Sequence, residues 1–395
     1  MDPIRNPFAP GAGTPPPELA GRQHLLEQAD IVLSRALHGR YAKSFVLIGL
    51  RGVGKTVLLN RVERLAEEKQ YKTVLVEAHE DKPLPDLLLP ALKHVLLALD
   101  RVGAMNEKVR RGLRVLKSFA GSIKVKVGDI EATIGMPKEE GVADSGDIEV
   151  DLPDLLVSVG EAAAARKTGV ALLIDELQYL SETELSALIM GIHKVAQKQL
   201  PLVLAGAGLP QLVGHMGRSK SYAERLFDFP EIGPLGKEHA EQAIVEPIER
   251  EGETIAPGAV ALILKATQGY PYFLQAWGSA AWIEAEKSPI SAKDVERASP
   301  KVIEDLDRSF FRVRFDRLTP TEKRYVRAMA ELGPGPHRSG DISDVLGVKV
   351  SSVAPTRSHL IRKGMIYAPS HGDTAFTVPL FDEFMKRVMP TLEKA

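Results

Sequence analysis

The sequence predicts an α/β fold: a parallel sheet with helices on both faces, then an all-helical segment, then a small C-terminal module of helices and two strands. Three observations predict it. Short apolar runs alternate with stretches of helical spacing over the first 235 residues, the pattern of a sheet built from strand–helix–strand units. From about 236 to 305 the spacing is helical throughout. After about 310 helical stretches give way to two short strands. The expected domains are 1–235, with an insertion at about 103–150, then 236–309 and 310–395.

Residues 1–17 are rich in Pro and Gly and are expected to be extended. Helical spacing follows over 18–40 through Leu25, Leu26, Ala29, Val32, Leu33 and Leu37. Phe45-Val46-Leu47-Ile48 reads as a buried strand running into Gly49. Val57, Leu58, Val62 and Leu65 restart a helix. Thr73–Val76, Val170–Ile174 and Leu202–Leu204 are further buried strands, with helices between them. Within the insertion, Ile123, Val125 and Val127, then Ile130, Ala132 and Ile134, alternate around Gly128-Asp129 and predict a β-hairpin. The acidic, glycine-bearing stretch 137–151 is expected to be a mobile loop. Trp277 and Trp282 are expected in the core of the helical segment, and Arg308, Arg312 and Arg314 beside Phe310 and Phe311 on a linker helix.

Of the 395 residues, 44% are hydrophobic and 26% charged, as in an ordinary soluble globular chain, and the net charge of −1 excludes a polyelectrolyte binder. Residues 310–395 hold 14 Lys/Arg and 9 Asp/Glu, a surplus of +5 that leaves −6 elsewhere. With no cysteine, disulfides, thiolate zinc sites and a cysteine nucleophile are excluded. The N-terminus lacks a basic patch followed by an apolar core, and no run approaches roughly 18 apolar residues. A cytoplasmic protein without a membrane span is therefore expected. The ten histidines lack ligand spacing.

Gly49-Leu50-Arg51-Gly52-Val53-Gly54-Lys55-Thr56 fits the phosphate-binding pattern G-x-x-x-x-G-K-[ST], between a strand and the helix that Val57 enters. Glycines let backbone N–H groups converge on an anion, and the following helix adds its positive N-terminal end. Lys55 is expected on the β- and γ-phosphates of ATP or ADP, and Thr56 on Mg2+. The strand Val170–Ile174 ends in Asp175-Glu176, at the sheet edge where open α/β sheets bind ligands. Asp175 is expected to hold magnesium through water, and Glu176 to polarise the attacking water. Ser181-Glu182-Thr183-Glu184 nearby is a capping box.

Together these residues resemble the AAA+ class of P-loop ATPases. The resemblance is to the archaeal-initiator (origin-recognition-like) branch and to bacterial archaeal-ATPase or STAND-type proteins. It implies an AAA+ parallel-sheet core, a helical lid over 236–309, and hydrolysis of ATP to ADP and phosphate, expected to be slow where the chain departs from the class pattern. It places Leu19 and Arg22, in Pro17–Arg22, beside adenine. It places Tyr270 and Pro271, opening a lid helix, near adenine and ribose. On Leu202–Gly208 such proteins carry a polar Asn or Thr sensor, whereas this chain has small residues, and it has no arginine at the start of the lid helix. Arg225 stands where the class places a finger arginine that reads a γ-phosphate across a homo-oligomer interface; otherwise it is a surface ion pair.

Thr319-Pro320-Thr321-Glu322 signals a helix start, followed by helices at about Ser339–Leu346 and Ser351–Lys363. Met365–Ala368 and Ala375–Val378 then read as strands flanking Ser370–Asp373. This order looks like a winged helix. On double-stranded DNA, Ser351, Ser352, Thr356, Arg357 and Arg362 would line the third helix, and Lys349, Lys363 and His371 would touch phosphates. The expectation is a nucleotide-dependent, DNA-associated switch. The alternative is a STAND-like regulatory ATPase whose winged helix and insertion grip a protein partner in defence, stress or mobile-element control. A small-molecule kinase fits the acidic strand end and the separate lid poorly.

Overall fold

The computed structural model describes residues 1–11, 13–100, 106–123, 137–370 and 372–392. The expected hairpin falls almost wholly on 124–136, and His371 stands alone; both lie outside the described residues. The chain divides into two compact units. One comprises residues 23–49 and 55–231, the other residues 1–22, 50–54 and 232–395.

The first unit is built on a parallel sheet. Its strands are β1 (Ser44–Gly49), β2 (Lys72–Glu77), β3 (Val170–Asp175), β4 (Leu202–Gly208) and β5 (Phe227–Asp228). They run in the order β2-β3-β4-β1-β5, and every pairing among them is parallel. All residues of β1, β3 and β4 are buried, so both faces of the sheet centre are covered. β2 corrects the expectation of a second buried strand: it forms the sheet edge, and Leu75 is 41% exposed. β5 is too short to leave an apolar run in the sequence.

The helices of this unit are α1 (Gln23–Leu37), α2 (Lys55–Glu68), α3 (Leu84–Asp100), α4 (Glu107–Ser122), α5 (Ile148–Ala165), α6 (Glu182–Gln197), α7 (Gln211–Ser219) and α8 (Ala223–Leu226). Leu25, Ala29 and Leu33 form the buried stripe of α1, one side chain per turn. Leu88, Leu92, Leu116, Leu155, Val159, Leu188 and Ile192 join Val46, Leu172 and Ile174 in one core. The acidic stretch after position 136, expected to be mobile, is anchored. The Glu139 carboxylate accepts from Arg111 at 3.1 Å and Arg114 at 2.7 Å. Fully buried Asp151 accepts from Ser145 Oγ at 2.7 Å, Gly146 N–H at 2.9 Å and Ser122 Oγ at 3.0 Å. Its oxygens are thereby satisfied by donors from α4 and from the loop itself.

The second unit holds α9 (Lys237–Arg250), α10 (Pro257–Thr267), α11 (Pro271–Glu284) and α12 (Ala292–Asp305). A π-helical turn, Leu306–Phe311, leads into α13 (Arg312–Asp316). Trp277 and Trp282 are buried as expected, bonded through Nε1 to Ser299 Oγ at 3.0 Å and to the Asp2 carbonyl at 2.8 Å. The chain's first residues therefore pack on α11. Arg308 and Arg312 pair with Glu304 and Asp316, and Arg314 lies 4.1 Å over the Phe310 ring. Then come α14 (Pro320–Leu332), β6 (His337–Arg338), α15 (Ser339–Leu346), α16 (Val350–Arg362), β7 (Ile366–Tyr367), β8 (Asp373–Phe376) and α17 (Phe381–Val388). The three strands form an antiparallel sheet with β8 central. The three expected helices and two expected strands are all present; β6 and α17 are additional. Thr319 and Glu322 make the expected capping box. Among the described residues no helix is long and apolar enough to cross a membrane.

Candidate functional site

β1 delivers a glycine loop to the start of α2. Gly52 and Gly54 take φ of +81° and +95°, which favour glycine over any other residue. A Cβ on Gly54 would meet nothing within 4 Å, so open space lies over the N-terminus of α2. The Lys55 side chain, only 5% exposed, donates from Nζ to the Gly49 carbonyl at 2.9 Å. A buried ammonium at the N-terminus of a helix is a site for an anion.

The acid end of β3 meets the first turn of α2 through Thr56, whose hydroxyl donates to Asp175 Oδ2 at 2.6 Å. Asp175 Oδ1 accepts from the Glu176 N–H at 2.8 Å. Asp175 is 6% exposed, and burial pushes its carboxyl above the usual range, only partly offset by the Thr56 hydroxyl. A hydroxyl and a carboxylate in contact are oxygen donors that fit a hard divalent cation. Thr56 and Asp175 are the residues that can hold magnesium, and a bound ion would neutralise charge developing on phosphate oxygens. Among the described residues there is no group of three or more His, Cys, Asp or Glu side chains that could hold a metal.

Glu176 follows in a left-handed conformation, φ +54° and ψ +38°. Its carboxylate accepts from the side-chain amide of Gln178. Gln178 escaped the sequence analysis. The signal that could have found it is its place two residues after Glu176, together with two glycines on β4. A Cβ on Gly206 would come within 2.4 Å of Leu177 Cδ1, and one on Gly208 within 3.0 Å of Gln178 Oε1. Leu177 and Gln178 of this turn, together with Leu212 of α7, pack against these two glycines.

The other candidates divide between the units. Arg225 is exposed on α8. Its carbonyl accepts from the Tyr41 hydroxyl at 3.0 Å. Val57 continues α2. Leu50–Gly54 belong to the second unit, with Leu19, Arg22, Tyr270 and Pro271. There the Gly52 carbonyl accepts from the Tyr272 N–H at 3.2 Å, and the Arg51 N–H donates to the Thr377 carbonyl at 3.2 Å. Val53 is buried, and a Cβ on Gly52 would lie 3.3 Å from the Tyr270 ring. The Tyr270 hydroxyl is buried and lacks a hydrogen-bond partner among the described residues. The Arg22 guanidinium donates to the Gly233 carbonyl, and burial lowers its pKa.

On α16, Ser351, Ser352 and Arg362 are exposed and Thr356 is half-buried. Two expected DNA contacts are engaged inside the module. Arg357 donates from Nε to Thr374 Oγ1 at 2.8 Å and from Nη2 to the Asp373 carbonyl at 2.7 Å. Lys363 pairs with Glu322 at 2.7 Å. Pro355 falls in the second turn of the helix, because α16 begins at Val350.

Residues 18–204 match the family described as the AAA ATPase domain, and residues 308–385 match a domain of unknown function (DUF8462). Among curated proteins nothing matches. The Walker-type ATPase PABY2304 of Pyrococcus abyssi is similar in structure, with a TM-score of 0.57 at 14% identity over 93% of this chain and 96% of that one. The Aeropyrum pernix ORC1 protein in complex with DNA gives 0.46 at 16% identity over 94% of each chain. The Thermotoga maritima RuvB Holliday junction branch migration motor gives 0.46 at 14% over 92% and 94%. At such identities the first likeness speaks to the fold alone. The family match falls on the glycine loop, the Thr56–Asp175 pair and most of the parallel sheet already described, so residues 18–204 are similar to the AAA ATPase domain.

Proposed function

We propose that this ATPase is a slow nucleotide-dependent switch whose C-terminal module responds to the phosphate loop and associates with double-stranded DNA. Lys55 and the amides of Gly49–Thr56 bind the phosphates of ATP or ADP, Thr56 and Asp175 hold magnesium, and Glu176 polarises water. The observation that carries the switch is the hydrogen bond from the Arg51 N–H to the Thr377 carbonyl, with Tyr272 bonding Gly52 one residue on. A loop that rearranges around a triphosphate alters these bonds, so both α11 and the strand end after β8 register its state. The winged-helix order of α14, α15, α16 and the β7–β8 pair supports the DNA half, with Ser351, Ser352 and Arg362 turned outward.

The test is filter binding to duplex DNA across salt, with ATP, ADP or neither, alongside hydrogen exchange of residues 366–378. Nucleotide-dependent exchange with salt-sensitive affinity is expected. Exchange that ignores nucleotide would remove the switch, and affinity that ignores nucleotide would remove the DNA half.

A second reading is favoured by one observation. With Arg357 and Lys363 engaged internally, the outer face of α16 carries Val350 (50% exposed), Ala354 and Pro355 beside a single arginine, a face suited to a protein partner. One stoichiometric protein partner, with DNA affinity no better than non-specific, would select it.

A further inference from the structure

We infer that Gln178 is a positioning residue that fixes the Glu176 carboxylate against the end of β4, taking the polar place that β4 itself leaves empty. The inference rests on the reading of Glu176 as the group that polarises water.

Gln178 sits in the one-turn 3-10 helix Leu177–Tyr179 and is half-buried. Its Oε1 accepts from the Leu209 N–H at 3.1 Å, one residue beyond β4. A backbone N–H can only donate, so the amide must present its oxygen there and its NH2 group to the other side. On that side Nε2 donates to Glu176 Oε2. The orientation of the amide is therefore set by the backbone, and the amide in turn sets the plane of the Glu176 carboxylate. The Glu176 backbone is held independently: its N–H donates to Asp175 Oδ1 at 2.8 Å and its carbonyl accepts from the Tyr179 N–H at 3.0 Å. A left-handed glutamate is strained and persists only where its surroundings over-determine it.

The composition of β4 fits this arrangement. Ala205-Gly206-Ala207-Gly208 offers no polar side chain; a Cβ on Gly206 would meet Leu177 Cδ1 at 2.4 Å, and one on Gly208 would meet Leu212 Cδ2 at 2.5 Å and Gln178 Oε1 at 3.0 Å. A polar side chain at 206 or 208 would occupy the space of the turn that delivers Gln178. One element supplies both the carboxylate and the amide that steers it.

The test separates positioning from packing. Gln178→Met keeps the length and volume of the side chain and removes both hydrogen bonds; Gln178→Ala removes the volume as well. Both are expected to lower kcat for ATP by roughly 10–100-fold. KM and the affinity for a fluorescent ADP analogue are expected to stay within about twofold. Gln178→Glu keeps the acceptor for Leu209 but sets a second carboxylate against Glu176, so it falls with them, and it serves if Gln178→Met does not fold. Wild-type kcat in the Met variant, or a loss seen in KM alone, overturns the inference. Glu176→Gln run in parallel keeps the failures apart. If that variant hydrolyses like wild type, the base assignment fails and Gln178 has nothing to position. If it is inactive while Gln178→Met is normal, the base stands and the positioning role falls.

Discussion

Replacing Asp175 by Asn is expected to stabilise the nucleotide-free protein while removing its response to magnesium. Asp175 is buried, and burial raises its carboxyl pKa despite the bonds from Thr56 and the Glu176 amide. Both bonds survive the substitution. Asn Oδ1 can keep the Glu176 N–H, and its NH2 group can donate to Thr56 Oγ1, because a hydroxyl can reverse its role. What disappears is the desolvated charge. A gain in stability is expected, read as a rise in melting temperature. The sign with pH follows from linkage. The folded state binds this proton more tightly than the unfolded chain, so wild-type stability rises as pH falls through the folded-state value. The advantage of the variant is therefore largest at alkaline pH and shrinks in acid. With ATP and magnesium at 100 times Kd, the wild type gains about 2.7 kcal/mol by mass action. The variant keeps only the part that does not depend on magnesium. Thermal melts in EDTA, in ATP with EDTA, and in ATP with magnesium measure all three terms. A variant that melts below wild type in EDTA, or shows the full magnesium-dependent shift, refutes the reasoning.

Lys55→Ala removes the ammonium bonded to Gly49 and is expected to weaken nucleotide binding at least tenfold, about 1.4 kcal/mol, by titration with a fluorescent analogue. In the C-terminal module, burial alone would raise the Glu322 carboxyl, but the Lys363 ammonium and the Thr319 backbone N–H hold it below its usual value. The pair's stabilisation is thus lost as pH falls through the folded-state value. Lys363→Met leaves Glu322, 4% exposed, without its cation and is expected to destabilise the module by about 1–3 kcal/mol at neutral pH in chemical denaturation. Gly208→Ala would set a Cβ 2.5 Å from Leu212 Cδ2 and 3.0 Å from Gln178 Oε1. A loss of about 1–3 kcal/mol in stability and a fall in kcat are expected together, read by melting and steady-state hydrolysis. Arg225→Ala is expected to abolish any rise of specific ATPase activity with protein concentration while leaving folding and nucleotide affinity unchanged. Activity independent of concentration in the wild type removes the intersubunit role.

What the sequence made legible follows from how locally each feature is determined. The glycine loop is set by backbone conformation: Gly52 and Gly54 are required at positive φ whatever surrounds them, so a spacing rule finds them. β1, β3 and β4 are buried on both faces and therefore show as unbroken apolar runs. β2 shows the same run and yet lies at the edge, because apolar composition does not reveal how many neighbours a strand has. β5 and β6 hold two residues each, below the length at which any period can be recognised. The anchored acidic stretch was hidden for a further reason: acidity and glycine suggest a solvated loop, while Asp151 and Glu139 owe their order to donors on α4 and within the loop itself.

The candidate site shows the same division more sharply. Lys55, Thr56, Asp175 and Glu176 carry chemistry that a short motif must contain, so they stand out at once. Gln178 makes two hydrogen bonds, one to a side chain two residues away and one to an amide 31 residues on, and only the second gives it meaning. The absence of a polar residue on β4 reads in sequence as a missing part. In three dimensions the same absence is clearance, since Gly206 and Gly208 are small where Leu177 and Gln178 lie against them. A deficit judged along one strand can thus be a requirement of its neighbour, and substituting Gly208 and Gln178 separately distinguishes the two. If β4 merely lacks a polar group, Gly208→Ala affects stability alone; if the glycine makes room for the amide, turnover falls with it.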